Sequence, residues 1–207
     1  MNTKNALAAA LFAAATLAGF GEDVSASVAV KAVVGEAAPP FTATDASGKA
    51  VNLADFKGKT VVLEWTNPGC PFVRKHYDSG NMPATQGKAL AKDVAWVTIQ
   101  TSGASDALSD LTQWQGAMKS APTTSVIDAD GSIGRTYGAR TTPHMYIVDA
   151  AGKLVYAGAI DSVPSADAED IAGATNYVNQ ALDETLAGKP ISKAVTEPYG
   201  CSVKYPG

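Results

Sequence analysis

Apolar positions recur along this chain in two periods, and the alternation between them lays out the elements. Thr60-Val61-Val62-Leu63 is a short apolar run that continues to Trp65 and reads as a buried strand. Val94 to Ile99 is β-rich and apolar on both parities, the pattern of an interior strand covered on both faces. Thr124 to Asp128, Met145 to Asp149 and Lys153 to Ala157 are further strands, the last two joined by a turn at Ala150-Ala151-Gly152. Phe41 to Thr44 and Lys49 to Leu53 flank Asp45-Ala46-Ser47-Gly48 as a hairpin. Leu108, Leu111, Trp114 and Met118 fall at three- and four-residue spacing, which predicts an amphipathic helix over 105–120. A helix starts near Pro71, bends around Gly80 to Pro83 and runs to about Lys92. A short one covers Gly131 to Tyr137. The last spans about Asp167 to Ala187, burying Ile171, Ala174, Val178, Leu182 and Leu186, and stops at Gly188 with Pro190 beyond. Strands alternating with helices, then a closing hairpin and helix, predict one α/β domain with a central mixed β-sheet flanked by helices.

The N-terminus breaks this pattern. Lys4 precedes a run from Ala6 to Phe20 that is almost wholly Ala, Leu and Phe, followed by small residues suited to cleavage near Ala26. The run is shorter than the roughly 20 apolar residues of a membrane span and fits a secretory signal peptide. The expected organisation is therefore a signal at 1–26, a linker at 27–40, a domain at 41–190 and a loop-like tail at 191–207. Such a signal predicts export to an oxidising compartment such as the periplasm, with membrane attachment only if the signal stays uncleaved. The 207 residues are 46% hydrophobic and 17% charged, with a net charge of -4 and no basic block, which argues against a nucleic-acid partner.

Candidate chemistry centres on Glu64 to Tyr77. Asn67-Pro68-Gly69 forms a turn that presents Cys70, and Pro71 suits the first position of a helix. A thiol at a helix N-terminus with cations nearby has its pKa lowered from near 8.5 to roughly 3.5–7.5. Arg74, one turn along, is the expected thiolate stabiliser. Glu64 sits inside an apolar strand, where an acid needs a partner or a raised pKa; it is either a proton shuttle for Cys70 or a solvent-facing edge residue. The chain has just one other cysteine, Cys201, in the tail. It is either a mobile resolving thiol for Cys70, a structural staple or a surface thiol.

These motifs together resemble the thioredoxin-fold superfamily, in its redoxin or AhpC/TSA (peroxiredoxin-like) branch. The resemblance rests on the strand-turn-Cys-helix of Thr60 to Tyr77 and on Asp128-Ala129-Asp130-Gly131 running to Tyr137-Gly138. Thr142-Pro143 ahead of Met145 to Asp149, and the closing hairpin of Gly152 to Asp161, complete it. It implies a cis Pro143 facing Cys70, Thr142 as a substrate contact, and a proton-shuttling acid at Glu64. The chain departs from the family pattern at three places. Val73 stands where Cys-x-x-Cys has its second cysteine, so a local disulfide is impossible. Asn67 replaces the Thr or Ser of peroxiredoxins, and Pro143 stands near their peroxide-binding arginine, leaving Arg74 or Arg140 as substitutes.

The resemblance implies an exported thiol-dependent oxidoreductase acting through Cys70, by thiol-disulfide exchange, hydroperoxide reduction or both. It implies no organic cofactor or metal, a protein disulfide or hydroperoxide as substrate, and an external thiol reductant. Two alternatives stand beside it. One is a copper-binding chaperone using Cys70, His76, His144 or Met82 as soft ligands; the other is a redox-inert scaffold of the same fold.

Overall fold

The computed structural model describes residues 31–104 and 107–206. A seven-stranded sheet is built from β1 (Thr42–Asp45), β2 (Ala50–Asn52), β3 (Val61–Trp65), β4 (Ala95–Thr101), β5 (Thr124–Asp128), β7 (His144–Val148) and β8 (Leu154–Gly158), in the order β2-β1-β5-β4-β3-β7-β8. Strand β3 lies in its interior, parallel to β4 and antiparallel to β7, with Glu64 opposite Thr98 on one side and Met145 on the other. The sheet is mixed and flanked by helices, as expected.

Each face of the sheet buries its own core. Val61, Leu63 and Trp65 point to one face with Val97, Ile99, Val126 and Tyr146. Val62, Trp96, Met145 and Ile147 point to the other. This two-sided burial is why β3 and β4 read as apolar on both parities. Helices α1 (Pro71–Asp78), α2 (Asn81–Leu90) and α5 (Tyr177–Leu186) cover the second face through Val73, Tyr77, Met82, Val178 and Leu182, and α3 (Ala107–Ala117) adds Trp114. Helix α4 (Ser132–Tyr137) covers the first with Ile133 and Tyr137 and ends at Gly138, whose φ of 66° suits a glycine cap.

Three expectations are corrected. The last helix does not run from Asp167 to Ala187. A 3-10 turn over Ala168–Gly173 ends first, because Asn176 bridges Asp161 with its backbone and caps α5 by accepting the Asn179 N–H. Leu186 is accordingly 44% exposed rather than buried. The described part of the supposed linker is packed, not free. Gly35 and Glu36 exchange hydrogen bonds with Leu154 on the outer edge of β8, while Ala32, Val34 and Ala38 lie against the core. Its first residues, 27–30, and the signal segment 1–26 lie outside the described residues.

The third correction concerns the tail. Residues 194–196 run beside Ala157 of β8. The chain then reaches back to form β9 (Cys201–Ser202), antiparallel to β6 (Thr141–Thr142), with Thr142 opposite Cys201. Among the described residues no helix is long and apolar enough to cross a membrane.

Candidate thiol site

Strand β3 delivers the chain to the Asn67 turn. The Asn67 side chain accepts the Gly69 N–H at 2.8 Å, and its carbonyl accepts the Cys70 N–H at 2.9 Å, a self-closing turn that needs no outside support. Cys70 is then the N-cap of α1, with Pro71 at the first helical position. Its thiol donates to the Thr142 carbonyl at 3.1 Å. The Thr142–Pro143 peptide bond is cis, and the Thr142 carbonyl faces the sulfur.

The pairing of β9 with β6 brings the second cysteine to the first. Cys201 packs against the cluster that contains Cys70 and pairs in register with Thr142, whose carbonyl accepts from the Cys70 thiol. The geometry divides the two thiols by acidity. Burial pushes the Cys70 thiol up, but the donors available to a thiolate there, the Cys201 thiol, the Val73 N–H at the start of α1, the Thr142 hydroxyl and the Cys201 N–H, more than offset it, so its pKa is lowered. The Thr142 hydroxyl, without a partner while Cys70 donates to the neighbouring carbonyl, is a ready donor to a thiolate. Burial, then the hydrogen bond and charge of Cys70, push Cys201 up to about 11. Cys70 is the thiol that ionises first.

Glu64 is fully buried on the interior strand, which removes the edge-residue reading. Its Oε1 accepts from Tyr77 at 2.7 Å; its Oε2 accepts from Trp96 at 2.8 Å, Gln86 at 3.2 Å and Thr98 at 3.3 Å. Burial raises its pKa, and these four donors hold it back without a cation to balance the charge. Cys70 is not among its partners, so the geometry does not offer the direct proton transfer expected between them.

Arg74 does not reach the thiol. Its guanidinium turns along the exposed side of α1 to Asp78, with Nε 3.1 Å from Oδ2 in an i,i+4 pair, and it takes no part in lowering Cys70. Arg140 pairs with Glu197 at 2.9 Å on the surface. The copper alternative fares no better. Met82 is sealed in the core, both His76 ring nitrogens are engaged, and His144 Nδ1 accepts from the Arg140 N–H. Among the described residues no cluster of three or more His, Cys, Asp or Glu could hold a metal ion.

Sequence reasoning missed a polar cluster that anchors the tail. Lys75 and His76 are buried rather than exposed. Tyr199, two residues before Cys201, donates to Asp161 Oδ1 at 2.5 Å, and its hydroxyl lies 3.0 Å from His76 Nε2. Asn81 Nδ2 donates to His76 Nδ1 at 2.8 Å, so the imidazole is neutral and its Nε2–H faces Tyr199. Lys75 Nζ lies 3.8 Å from Asp161 Oδ2 and donates to the Val163 carbonyl at 3.1 Å. Adjacent Lys-His in the last turn of α1 gave no warning of this; the signal available was Tyr199 beside Gly200-Cys201.

Known proteins place this site in context. The model of the Redoxin family matches residues 33–174. The thiol-disulfide oxidoreductase ResA of Bacillus thuringiensis subsp. konkukian is 30% identical over 132 residues, covering 60% of this chain and 69% of its own. Among solved structures, an uncharacterised conserved protein from Geobacillus kaustophilus superposes with a TM-score of 0.69 at 26% identity, over 84% of this chain and 93% of that one. A putative thiol:disulfide interchange protein DsbE from Chlorobium tepidum shares the fold with a TM-score of 0.52 at 24% identity, over 61% of this chain and 85% of its own. With its cysteine at the head of α1 and the family pattern running through most of the sheet, the chain belongs to the Redoxin family.

Proposed function

We propose that this protein is a thiol-disulfide oxidoreductase whose redox couple is Cys70 and Cys201. The observation that carries the reading is the β6–β9 pairing, which sets the tail cysteine against the helix-capping one. The similarity to ResA supports the same chemistry. Cys70, the lower-pKa thiol, attacks one sulfur of a substrate disulfide, forming a mixed disulfide and releasing one substrate thiolate, which takes up a proton. Cys201 gives up its proton and attacks the Cys70 sulfur, expelling the second substrate thiol. Two electrons have passed to the substrate, and the Cys70–Cys201 disulfide is left for an external dithiol or thiol pair to reduce. Disulfide exchange is preferred to hydroperoxide reduction because Arg74 and Arg140 are committed to Asp78 and Glu197, leaving no guanidinium at the sulfur. The basic-then-apolar N-terminal run supports export, where such a couple meets protein disulfides.

The test is a trapping experiment with an oxidised protein substrate. Cys70→Ser abolishes exchange; Cys201→Ser accumulates a mixed disulfide on Cys70 and stops there. If Cys201→Ser turns over substrate as fast as the parent, the couple is wrong.

A further inference from the structure

The tail is fitted to its track with a closeness that ordinary connecting segments lack. A Cβ on Gly200 would lie 2.0 Å from the Thr142 carbonyl oxygen, and one on Gly158 would lie 2.1 Å from Thr196 Oγ1. Where the chain end crosses α4, a Cβ on Gly134 would lie 2.7 Å from the Tyr205 hydroxyl. Glycine stands at three of the places where the tail and the domain come closest. Beyond β9 the Val203 N–H continues the pairing to the Arg140 carbonyl, and the Tyr205 hydroxyl donates to the Ala139 carbonyl at 2.6 Å. Beneath this track Cys70 is 1% exposed.

The anchor is equally specific. Asp161 is buried with one oxygen bonded to Tyr199 and the Val163 N–H, and its other oxygen accepts no hydrogen bond. Lys75 supplies the nearby positive charge and also lies 5.6 Å over the Tyr199 ring. A buried Lys–Asp pair is costly to assemble and is weak evidence for stability. Here Lys75, His76 and Asp161 all meet the same side chain, Tyr199, the tyrosine that leads into β9.

We infer that Lys75, His76 and Asp161 form a latch that grips Tyr199 and so straps the segment 199–205 across Cys70, making β9 the resident occupant of the β6 edge that an extended substrate polypeptide must displace. The inference rests on the proposed reaction for its biological use, but not for its geometry. Latched, the strap lets Cys70 meet Cys201 first. Released, it bares both the sulfur and the backbone groups of β6 to a strand of a protein partner. Tyr199 is thus a positioning residue, acting through Cys201 rather than on substrate.

The experiment uses Cys201→Ser protein, in which Cys70 is the sole thiol of the two in the chain. Cys70 is labelled with iodoacetamide and, separately, with a maleimide carried on a polyethylene glycol chain, each rate normalised to free cysteine. With the strap latched, the bulky reagent is selectively retarded. Tyr199→Phe, which keeps the ring and removes two hydrogen bonds, should speed the bulky reagent roughly tenfold while changing the small one little. Gly200→Ala should do the same by lifting β9 off Thr142, without touching the buried cluster. In the two-cysteine protein, Tyr199→Phe should also lower the equilibrium constant of the Cys70–Cys201 disulfide against glutathione by a similar factor. An unchanged ratio of the two labelling rates in both variants overturns the latch. Absence of any Cys70–Cys201 disulfide overturns the proposed reaction instead, and leaves the labelling result to decide the strap.

Discussion

Glu64 and Tyr77 offer the sharpest quantitative test of how the interior is built. Tyr77→Phe removes the hydroxyl that donates to Glu64 Oε1 at 2.7 Å and leaves the ring packed at a tilt against Trp114, 4.3 Å between centroids. The size of the effect depends on the charge of the acid. Burial raises the Glu64 pKa above its ordinary 4.5, and the Tyr77 hydrogen bond is the largest of the forces pulling it back. A raised folded pKa contributes stability that is fully present below 4.5 and lost as pH rises through the folded value. Removing Tyr77 lifts the folded value further, so the cost of the substitution grows with pH. Near pH 4, with a neutral acid in both folded and unfolded chains, it is a neutral hydrogen bond, about 1 kcal/mol. At a pH high enough to ionise the acid in the folded chain, the bond is charge-assisted and the cost reaches about 2–3 kcal/mol. Urea unfolding of the parent, Tyr77→Phe, Glu64→Gln and the double variant at both pH values measures the coupling directly. Glu64→Gln should erase most of the pH dependence. A Tyr77→Phe cost that is the same at both pH values, and the same in the Glu64→Gln background, would refute the reasoning.

Two further outcomes follow from the same geometry. His76 is buried neutral, its pKa lowered to about 4 by burial and by Lys75 against the opposing pull of Asp161. The unfolded chain therefore binds the extra proton first, and about 3 kcal/mol of stability present above pH 6.5 is lost as pH falls towards 4. Unfolding free energies of the parent minus those of His76→Gln, followed from neutral to acid pH, should show this slope; parallel curves would contradict it. Arg74→Ala breaks only an exposed pair with Asp78, so it should change stability by less than about 1 kcal/mol and leave the pH profile of Cys70 alkylation in place. A Cys70 titration that moves upward by a full unit would return Arg74 to the site.

The core of the fold and the head of the site were legible because their causes are local. Two-sided apolar runs place β3 and β4 inside the sheet, and the Asn67 turn with Pro71 fixes Cys70 at the start of α1 through contacts only a few residues apart. What escaped reading depends on distant partners. A two-residue strand at Cys201–Ser202 has no period to detect, and its register is set by Thr141 and Thr142 far upstream. Small residues at 32–38 look like a flexible linker when they are in fact small enough to lie close along β8. Arg74 illustrates the limit of helical spacing. An i,i+4 neighbour downstream, Asp78, claimed the guanidinium that proximity to Cys70 had suggested. Lys75 and His76 were unreadable as buried groups because their partners, Asp161 and Tyr199, come from other elements.

Strand β8 carries a consequence for solubility. It is the last strand of the sheet, and a bare outermost strand invites pairing with another molecule. Here its free side is taken at one end by Gly35 and Glu36, bonded to Leu154, and at the other by Ala194 and Thr196, bonded to Ala157. The two flanks of the chain thus share the task of sealing one border. The family-matched stretch, 33–174, contains the first seal and omits the second. Cut back to that stretch, the protein would lose α5 from the second face of the sheet and, with it, half the cover on β8, leaving a rim open to other strands.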